Sequence, residues 1–233
     1  MSGQKYIRGA LIEFTDAFVI PLPNVILFQY NPESMTHAWT QPEAAAATPG
    51  DKKQNPLAVQ GDPGQSFTFT ISMHAGDVIA DGNPVTAALA EVSGIATRLA
   101  ALEMLQYPVG KAGGALVGAV SSLLGGGGSS PPAPIPQLQL PTVLFVWGPG
   151  RIVPVRVTSL STTELLYDGL LTPTYATAQI TLRVLTPKEL EWVNGPLKEI
   201  ARGAYTYTQS LREVLAVANL VNATDSIIGM LPL

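Results

Sequence analysis

The stretch Ser66-Phe67-Thr68-Phe69-Thr70-Ile71-Ser72-Met73-His74 carries the clearest strand signal in the chain. Apolar and polar side chains alternate along it, which is the two-residue period of a β-strand with one buried and one solvated face. The predicted buried side chains are Phe67, Phe69, Ile71 and Met73. Strands with one solvated face are typical of antiparallel sheets. The stretch therefore predicts a fold built around antiparallel β-structure.

Further strand signals lie on both sides of this stretch. Residues 6–14 and 24–30 form two short apolar segments, and the second ends at Asn31-Pro32 because proline cannot donate to a ladder. Residues 142–186 form a second β-rich block. Its predicted strands cover 143–147, 151–160 and 174–186, with a turn at Gly148-Pro149-Gly150. Strands that are neighbours in sequence predict antiparallel pairing in a barrel or a sandwich.

Three helices are predicted between and after these strands. The first covers 84–107, with Asn83 as its capping residue and an interruption at Gly94. The second is short, beginning at Thr186 and ending near Gly195. The last covers 208–222, with a buried face of Leu211, Val214, Leu215, Ala218 and Val221. The predicted fold class is therefore mainly β with α (α+β).

Two segments lack a helix or strand period. Residues 40–64 are predicted to form an exposed loop, and residues 109–139 form a connector rich in glycine, serine and proline. The most apolar part of that connector, 112–124, is shorter than the roughly 20 residues needed to span a bilayer. The apolar patch at the N-terminus is broken by Glu13, unlike a signal peptide. We therefore expect a cytoplasmically made protein without direct membrane insertion.

Charged side chains are scarce in this chain of 233 residues, at 13% against about 25% in a typical globular protein. Hydrophobic residues make up 46%, which is enough for a full core. The 17 acidic and 13 basic residues give a net charge of −4, which argues against a nucleic-acid-binding protein. Because the cores of protein interfaces are depleted in charge, the composition favours a protein whose surface contacts other subunits.

The sequence offers few groups for catalysis or metal binding. It has no cysteine, and its two histidines, His37 and His74, have no second histidine three or four residues away. The glycines at 125–128 lack the lysine of a phosphate-binding loop, and no Gly-x-Ser-x-Gly nucleophile motif occurs. We therefore expect a protein that is not an enzyme and has no catalytic, cofactor-binding or metal-binding residues.

Four segments, in this order, resemble the tube-like inner-baseplate proteins of contractile injection systems, the phage-tail-like particles of bacteria. The first is the aromatic-x-aromatic-Asn-Pro-Glu sequence at 28–33, and the second is the alternating strand at 67–71. The third is a Leu-Ala-x-Leu-Glu-x-Leu-x-x-Pro helix at 99–108, and the fourth extends from 141 to 185. The residues that carry the resemblance are Phe28, Tyr30, Asn31, Pro32, Glu33, Leu99, Leu102, Glu103, Pro108, Trp147, Gly148, Tyr167, Asp168 and Pro173.

The resemblance implies a tail-tube-like domain at 1–186 and a helical C-terminal extension at 187–233. Members of this family usually carry a LysM module after that domain, and here only Ala218-Asn219 and residues 227–232 resemble the end of one, as a degenerate remnant would. The implied role is a structural adaptor between the inner tube and the central spike hub. The implied partners are copies of the chain in a homo-hexameric ring, the tube initiator subunits, the spike or hub protein and other baseplate subunits. The implied location is the bacterial cytoplasm and the assembled particle.

The motif Asn31-Pro32-Glu33 has an expected structural task from its chemistry alone. Proline should end the strand rigidly, and Glu33 should then accept hydrogen bonds from the backbone as it turns back. The alternative is a local turn that contacts no partner.

Three other functions stay open on the sequence. The first is a free, non-catalytic β-sandwich module that binds cell-wall glycan. The second is the equivalent baseplate protein of a contractile-tailed phage. The third is an enzyme whose scattered carboxylates converge in space.

Overall fold

The computed structural model describes residues 6–14, 23–42, 57, 59, 61–80, 84–108, 140–193 and 197–230. This part of the chain contains seven β-strands, four α-helices and one 3-10 helix. The strands are β1 (Ala10–Phe14), β2 (Pro23–Leu27), β3 (Met35–Thr40), β4 (Gly64–His74), β5 (Val143–Val146), β6 (Ile152–Tyr167) and β7 (Pro173–Val184). The helices are α1 (Ala75–Ala80), α2 (Pro84–Ser93), α3 (Ala96–Met104) and α4 (Leu197–Met230), with the 3-10 helix at Glu189–Trp192. The predicted connector at 109–139 lies outside the described residues.

The strands form one antiparallel sheet in the order β2-β1-β5-β6-β7-β4-β3. This confirms the predicted α+β class and antiparallel pairing. The sheet is not a closed barrel, because within the described ranges no ladder joins β2 to β3. The ring centroids of Phe67 on β4 and Phe145 on β5 are nevertheless 5.3 Å apart, although two strands lie between β4 and β5 in the sheet. The sheet therefore curls until its halves face each other through packed side chains instead of closing through hydrogen bonds.

The inward faces of β4 and β7 supply much of the core. All four side chains predicted to be buried on β4 are buried, and one face of β7 is buried as well. The core residues on β7 are Ala176, Ala178, Ile180, Leu182 and Val184. Each fully buried large apolar side chain contributes about 1.5–3 kcal/mol, so this two-residue alternation stabilises the centre of the sheet.

Several element bounds differ from those predicted from sequence. β1 begins at Ala10 instead of residue 6, and β2 ends at Leu27 instead of residue 30. β3 and α1 were not predicted, and β6 continues to Tyr167 instead of ending at residue 160. The extension of β6 pairs with the first half of β7, and most side chains of the extension itself are exposed. Without burial there is no selection for alternating apolar residues, so the pattern does not reveal this part of the strand.

Gly94 separates α2 from α3, as predicted. Its φ is +55°, and a Cβ at this position would lie 2.2 Å from the carbonyl oxygen of Pro173. The next residue, Ile95, donates its backbone N–H to the same oxygen at 2.9 Å. The break therefore fixes the start of α3 against the start of β7.

The helix predicted at 208–222 is part of the longer α4, and its predicted buried face is wrong. Val214 and Leu215 are 63% and 61% exposed, Ala218 is also exposed, and Leu211 is half-buried. The side chain of Val221 lies outside the described ones. Among the side chains of α4 that the structure describes, 197–219, the buried ones are Leu197, Ala201, Tyr205 and Thr208. Helical periodicity identifies the apolar face of a helix, but it does not show which turns of that helix pack against the sheet.

The first half of α4 is bonded to one end of the curled sheet. The Thr208 hydroxyl donates to Ile152 O at 2.7 Å and accepts from Ile152 N at 3.1 Å. The Tyr207 hydroxyl donates to Pro149 O at 2.9 Å. α4 follows the predicted domain boundary between residues 186 and 187, and it packs directly on β6, which lies before that boundary. No helix in the described part of the chain is long and apolar enough to cross a membrane.

Candidate functional site

The side chain of Asn31 holds the segment that leads into β1. Its Oδ1 accepts from Gly9 N at 2.8 Å, and its Nδ2 donates to Ile7 O at 2.9 Å. Glu33 is exposed and makes no hydrogen bond in the described structure. The expectation that Glu33 accepts bonds from the returning backbone is therefore wrong. The amide of Asn31 performs this task because it offers both a donor and an acceptor, whereas a carboxylate only accepts.

Phe28 and Trp147, from two distant segments of the resemblance, meet around Gly9. The two ring centroids are 6.4 Å apart, and Phe28 N donates to Gly9 O at 2.9 Å. A Cβ on Gly9 would lie 2.7 Å from Trp147 Cε3 and 2.8 Å from Phe28 Cδ2. Only glycine lets the backbone approach both rings this closely. Gly9 was not predicted as a site residue, because in the sequence it is only a small residue just before the apolar segment Ala10-Leu11-Ile12.

Gln29 and Tyr30 join the end of β2 to the end of β4. Gln29 Nε2 donates to His74 O at 2.9 Å, and Gln29 Oε1 accepts from His74 N at 3.0 Å. The side-chain amide therefore satisfies both backbone groups of His74. The Tyr30 hydroxyl bonds to the carboxylate of Asp77 on α1. Gln29 was not identified from sequence, because a polar residue between two aromatic ones resembles the solvated face of a strand.

Replacing Asn31 with alanine tests the clasp around residues 7–9. We expect the free energy of unfolding to fall by about 1–2 kcal/mol, because two hydrogen bonds are lost. The amide of Gly9 should exchange with deuterium faster than in the unmodified protein. Gln179→Ala is the control, because Gln179 is exposed on β7 and should change stability by less than about 0.5 kcal/mol. An unchanged exchange rate at Gly9 would contradict the assigned role.

The hairpin formed by β6 and β7 contains two further residues of the resemblance, Tyr167 at the end of β6 and Asp168 in the turn. Asp168 Oδ1 accepts from the backbone N–H groups of Leu170 and Thr172, each at 2.8 Å. These backbone bonds, from Thr172 first and Leu170 second, hold the pKa of Asp168 below its ordinary value. Tyr167 lies opposite Pro173 in the ladder. The carboxylate thus organises a hairpin tip in which Leu171 has a φ of +63°.

The other residues of the resemblance are structural or exposed. Leu99 and Leu102 are buried in the core, whereas Glu103 and Pro108 are exposed. Gly148 has a φ of +67° and forms the turn after β5. Pro32 is half-buried in the turn that follows β2.

The structure brings these residues together in two places. Phe28, Asn31 and Trp147 meet where β1, β2 and β5 begin or end, and Tyr167, Asp168 and Pro173 meet at the hairpin tip. In the described ranges, no three Asp, Glu or His side chains converge where they could hold a metal ion. The two groups of residues can therefore hold backbone segments in place and expose side chains for contact with other molecules.

In the described ranges, exposed apolar side chains occur at both edges of the sheet and at the hairpin tip, among other places. The edge strand β2 presents Val25 and Leu27, and the edge strand β3 presents Trp39. The hairpin tip presents Leu165, Leu166, Tyr167, Leu170 and Leu171. Neither edge strand contains a charged residue, although charge is a common means of preventing edge pairing. These features are available for contact with other chains.

Comparison with known proteins adds no assignment. No protein-family model matches the chain, and no curated protein matches it significantly.

Proposed function

We propose that the chain is a non-catalytic structural subunit of the baseplate of a bacterial contractile injection system. In this role it joins the inner tube to the central spike hub. The resemblance of its four segments motivates the proposal, and the observation that carries it is the apolar hairpin tip between β6 and β7.

The tip combines exposure with an unfavourable backbone conformation. Leu170 and Leu171 are 87% and 80% exposed, and the positive φ of Leu171 costs about 1–2 kcal/mol relative to glycine. Covering such side chains would contribute about 1.5–3 kcal/mol each. The isolated chain gains none of this energy, so leucines in this turn favour a function in which a partner covers them.

The two sheet edges support assembly with further copies. β2 and β3 carry unpaired backbone groups on their outer sides within the described sheet, and neither is blunted by charge. We therefore include a homo-hexameric ring in the proposal, with six copies taken from the resemblance. The other proposed partners are the tube initiator subunits, the spike or hub protein and neighbouring baseplate subunits. The proposed location is the bacterial cytoplasm and then the assembled particle.

Mass measurement of the purified chain with its tube and spike partners tests the proposal. We expect complexes of several copies, and we expect the double variant Leu166→Asp/Leu170→Asp to weaken them at least about tenfold. Both leucines are exposed, so the melting temperature of the isolated chain should stay nearly unchanged. Thr163→Asp is the control, since it adds a charge to an exposed polar position on β6.

A chain that remains monomeric with both partners would contradict the proposal. Retention of the chain on peptidoglycan together with indifference to tube and spike would favour the glycan-binding alternative instead.

A further inference from the structure

The inner face of the β3–β4 pair is apolar in the core and becomes polar toward the end of the sheet where His37 and Gln65 lie. In the ladder, His37 lies opposite Phe67 and Trp39 lies opposite Gln65. The His37 ring centroid is 4.2 Å from that of Phe67 and 4.7 Å from that of Trp39. The buried aromatic core therefore continues into a polar cluster at the end of the sheet that α4 covers.

Two arginines approach this cluster from other elements. Arg151 comes from the turn between β5 and β6, and its Cζ is 5.2 Å from the centroid of the Phe67 ring. Arg212 comes from α4, and its Cζ is 4.8 Å from the centroid of the Trp39 ring. A guanidinium held over an aromatic face keeps its N–H edge available for a planar acceptor such as a carboxylate or phosphate. Both groups are thus positioned before any ligand arrives.

The positive charge of the cluster is not neutralised by the described residues. Neither Arg151 nor Arg212 forms an ion pair with a described carboxylate. Asp62 is in no ion pair among the described residues either, and its carboxylate accepts a hydrogen bond from the Tyr205 hydroxyl at 2.9 Å. Burial, and then the charge of Arg151, lowers the pKa of Arg212. Two like charges are therefore held near each other in partly buried positions.

Three buried polar atoms of the cluster formed by His37, Gln65, Arg151 and Arg212 lack hydrogen-bond partners within the described structure. They are Arg212 Nη2, His37 Nε2 and Gln65 Oε1. Burial, and then Arg151, lowers the pKa of His37, and the nearby Gln65 side chain opposes this change without reaching hydrogen-bond geometry. A buried charged donor without an acceptor is destabilising, so the cluster is incomplete as it stands.

We propose that this cluster is a binding site for an oxyanion, either a carboxylate or a phosphate group, held between Arg151 and Arg212. The anion accepts from Arg212 Nη2 and from the N–H edge of Arg151, and it neutralises the two positive charges. Trp39 is 49% exposed, so the cluster is open to solvent on that side. The inference stands apart from the proposed function, because a ligand can be tested on the isolated chain.

Nuclear magnetic resonance of the histidine side chains provides the test. The full chain is titrated with sodium phosphate, and separately with sodium acetate, at an ionic strength held constant with sodium chloride. We expect saturable shifts at His37 and a rise in its pKa, because a nearby anion favours the protonated imidazole. His74 serves as the internal reference, since it lies at the far end of β4.

Variants assign the shift to the two arginines. Arg151→Gln and Arg212→Gln should each raise the apparent dissociation constant at least about tenfold, because each removes charge-assisted hydrogen bonds. Arg212→Lys should give an intermediate loss, because the charge remains while the planar fork is lost. Arg156→Gln is the matched control, since Arg156 is exposed on β6 beside the buried Val155 and Val157. It should leave binding unchanged.

The wild-type titration decides the proposal even if a variant fails to fold. Saturation with phosphate alone indicates a phosphate-bearing ligand, and saturation with both anions indicates a general oxyanion site; either result supports the proposal. The absence of a saturable shift with both anions would overturn it. An equal loss in Arg156→Gln would also overturn it, because the effect would then be one of net charge.

Discussion

Replacing Phe69 with alanine is expected to lower the free energy of unfolding by about 3–5 kcal/mol. Phe69 is 3% exposed, and its ring centroid is 5.5 Å from those of both Phe28 and Phe145. The Phe145 ring is stacked on it at an interplanar angle of 17°. Truncation would therefore leave a cavity between the two halves of the curled sheet, where neighbouring strands cannot easily collapse.

Urea unfolding measures this change as a fall in the midpoint concentration at an unchanged slope. Thr70→Ala is the matched control, because Thr70 is the next residue on β4 and its side chain is exposed. We expect the control to change stability by less than about 1 kcal/mol. A loss of less than about 1 kcal/mol for Phe69→Ala would contradict its position in the core.

Gly94→Ala is expected to lower stability by about 3 kcal/mol or more, for two reasons that add. A positive φ costs an alanine about 1–2 kcal/mol. The new Cβ would also lie 2.2 Å from the Pro173 oxygen, so the backbone must move. That movement would weaken the hydrogen bond from Ile95 N to Pro173 O, and with it the attachment of α3 to β7.

Gly148→Ala separates the two reasons. Gly148 has a φ of +67°, but a Cβ there meets no atom within 4 Å. It should therefore show the conformational penalty alone, about 1–2 kcal/mol. Thermal unfolding of both variants measures the difference between them. Equal losses would mean that the close approach of Gly94 to Pro173 is absent.

The sequence predicted the central strands because burial imposes a period on them. β4 and β7 are buried on one face along most of their length, so their alternation is visible without a structure. β3 also alternates, with Met35, His37 and Trp39 on its inner side, but one of these large residues is a histidine. A rule that counts apolar residues misses such a strand, whereas one that counts large against small residues would find it.

The candidate site could be predicted only in part. The resemblance pointed to Asn31, Trp147 and Asp168, but their hydrogen bonds and packing depend on residues far away in the sequence. The oxyanion cluster draws Arg151, Arg212 and His37 from three separate elements. Each is unremarkable in its own segment, and only the curl of the sheet and the position of α4 bring them together.

The two edges of the sheet are formed by different strands, so copies that pair edge to edge can be arranged head to tail. β2 and β3 differ in sequence, so a contact between the β2 edge of one copy and the β3 edge of the next is heterologous. Such a contact has no two-fold axis and leaves one bare edge at each end of a growing row. Both bare edges are covered only if the row closes into a ring. The rotation between successive copies then determines the number of copies in that ring.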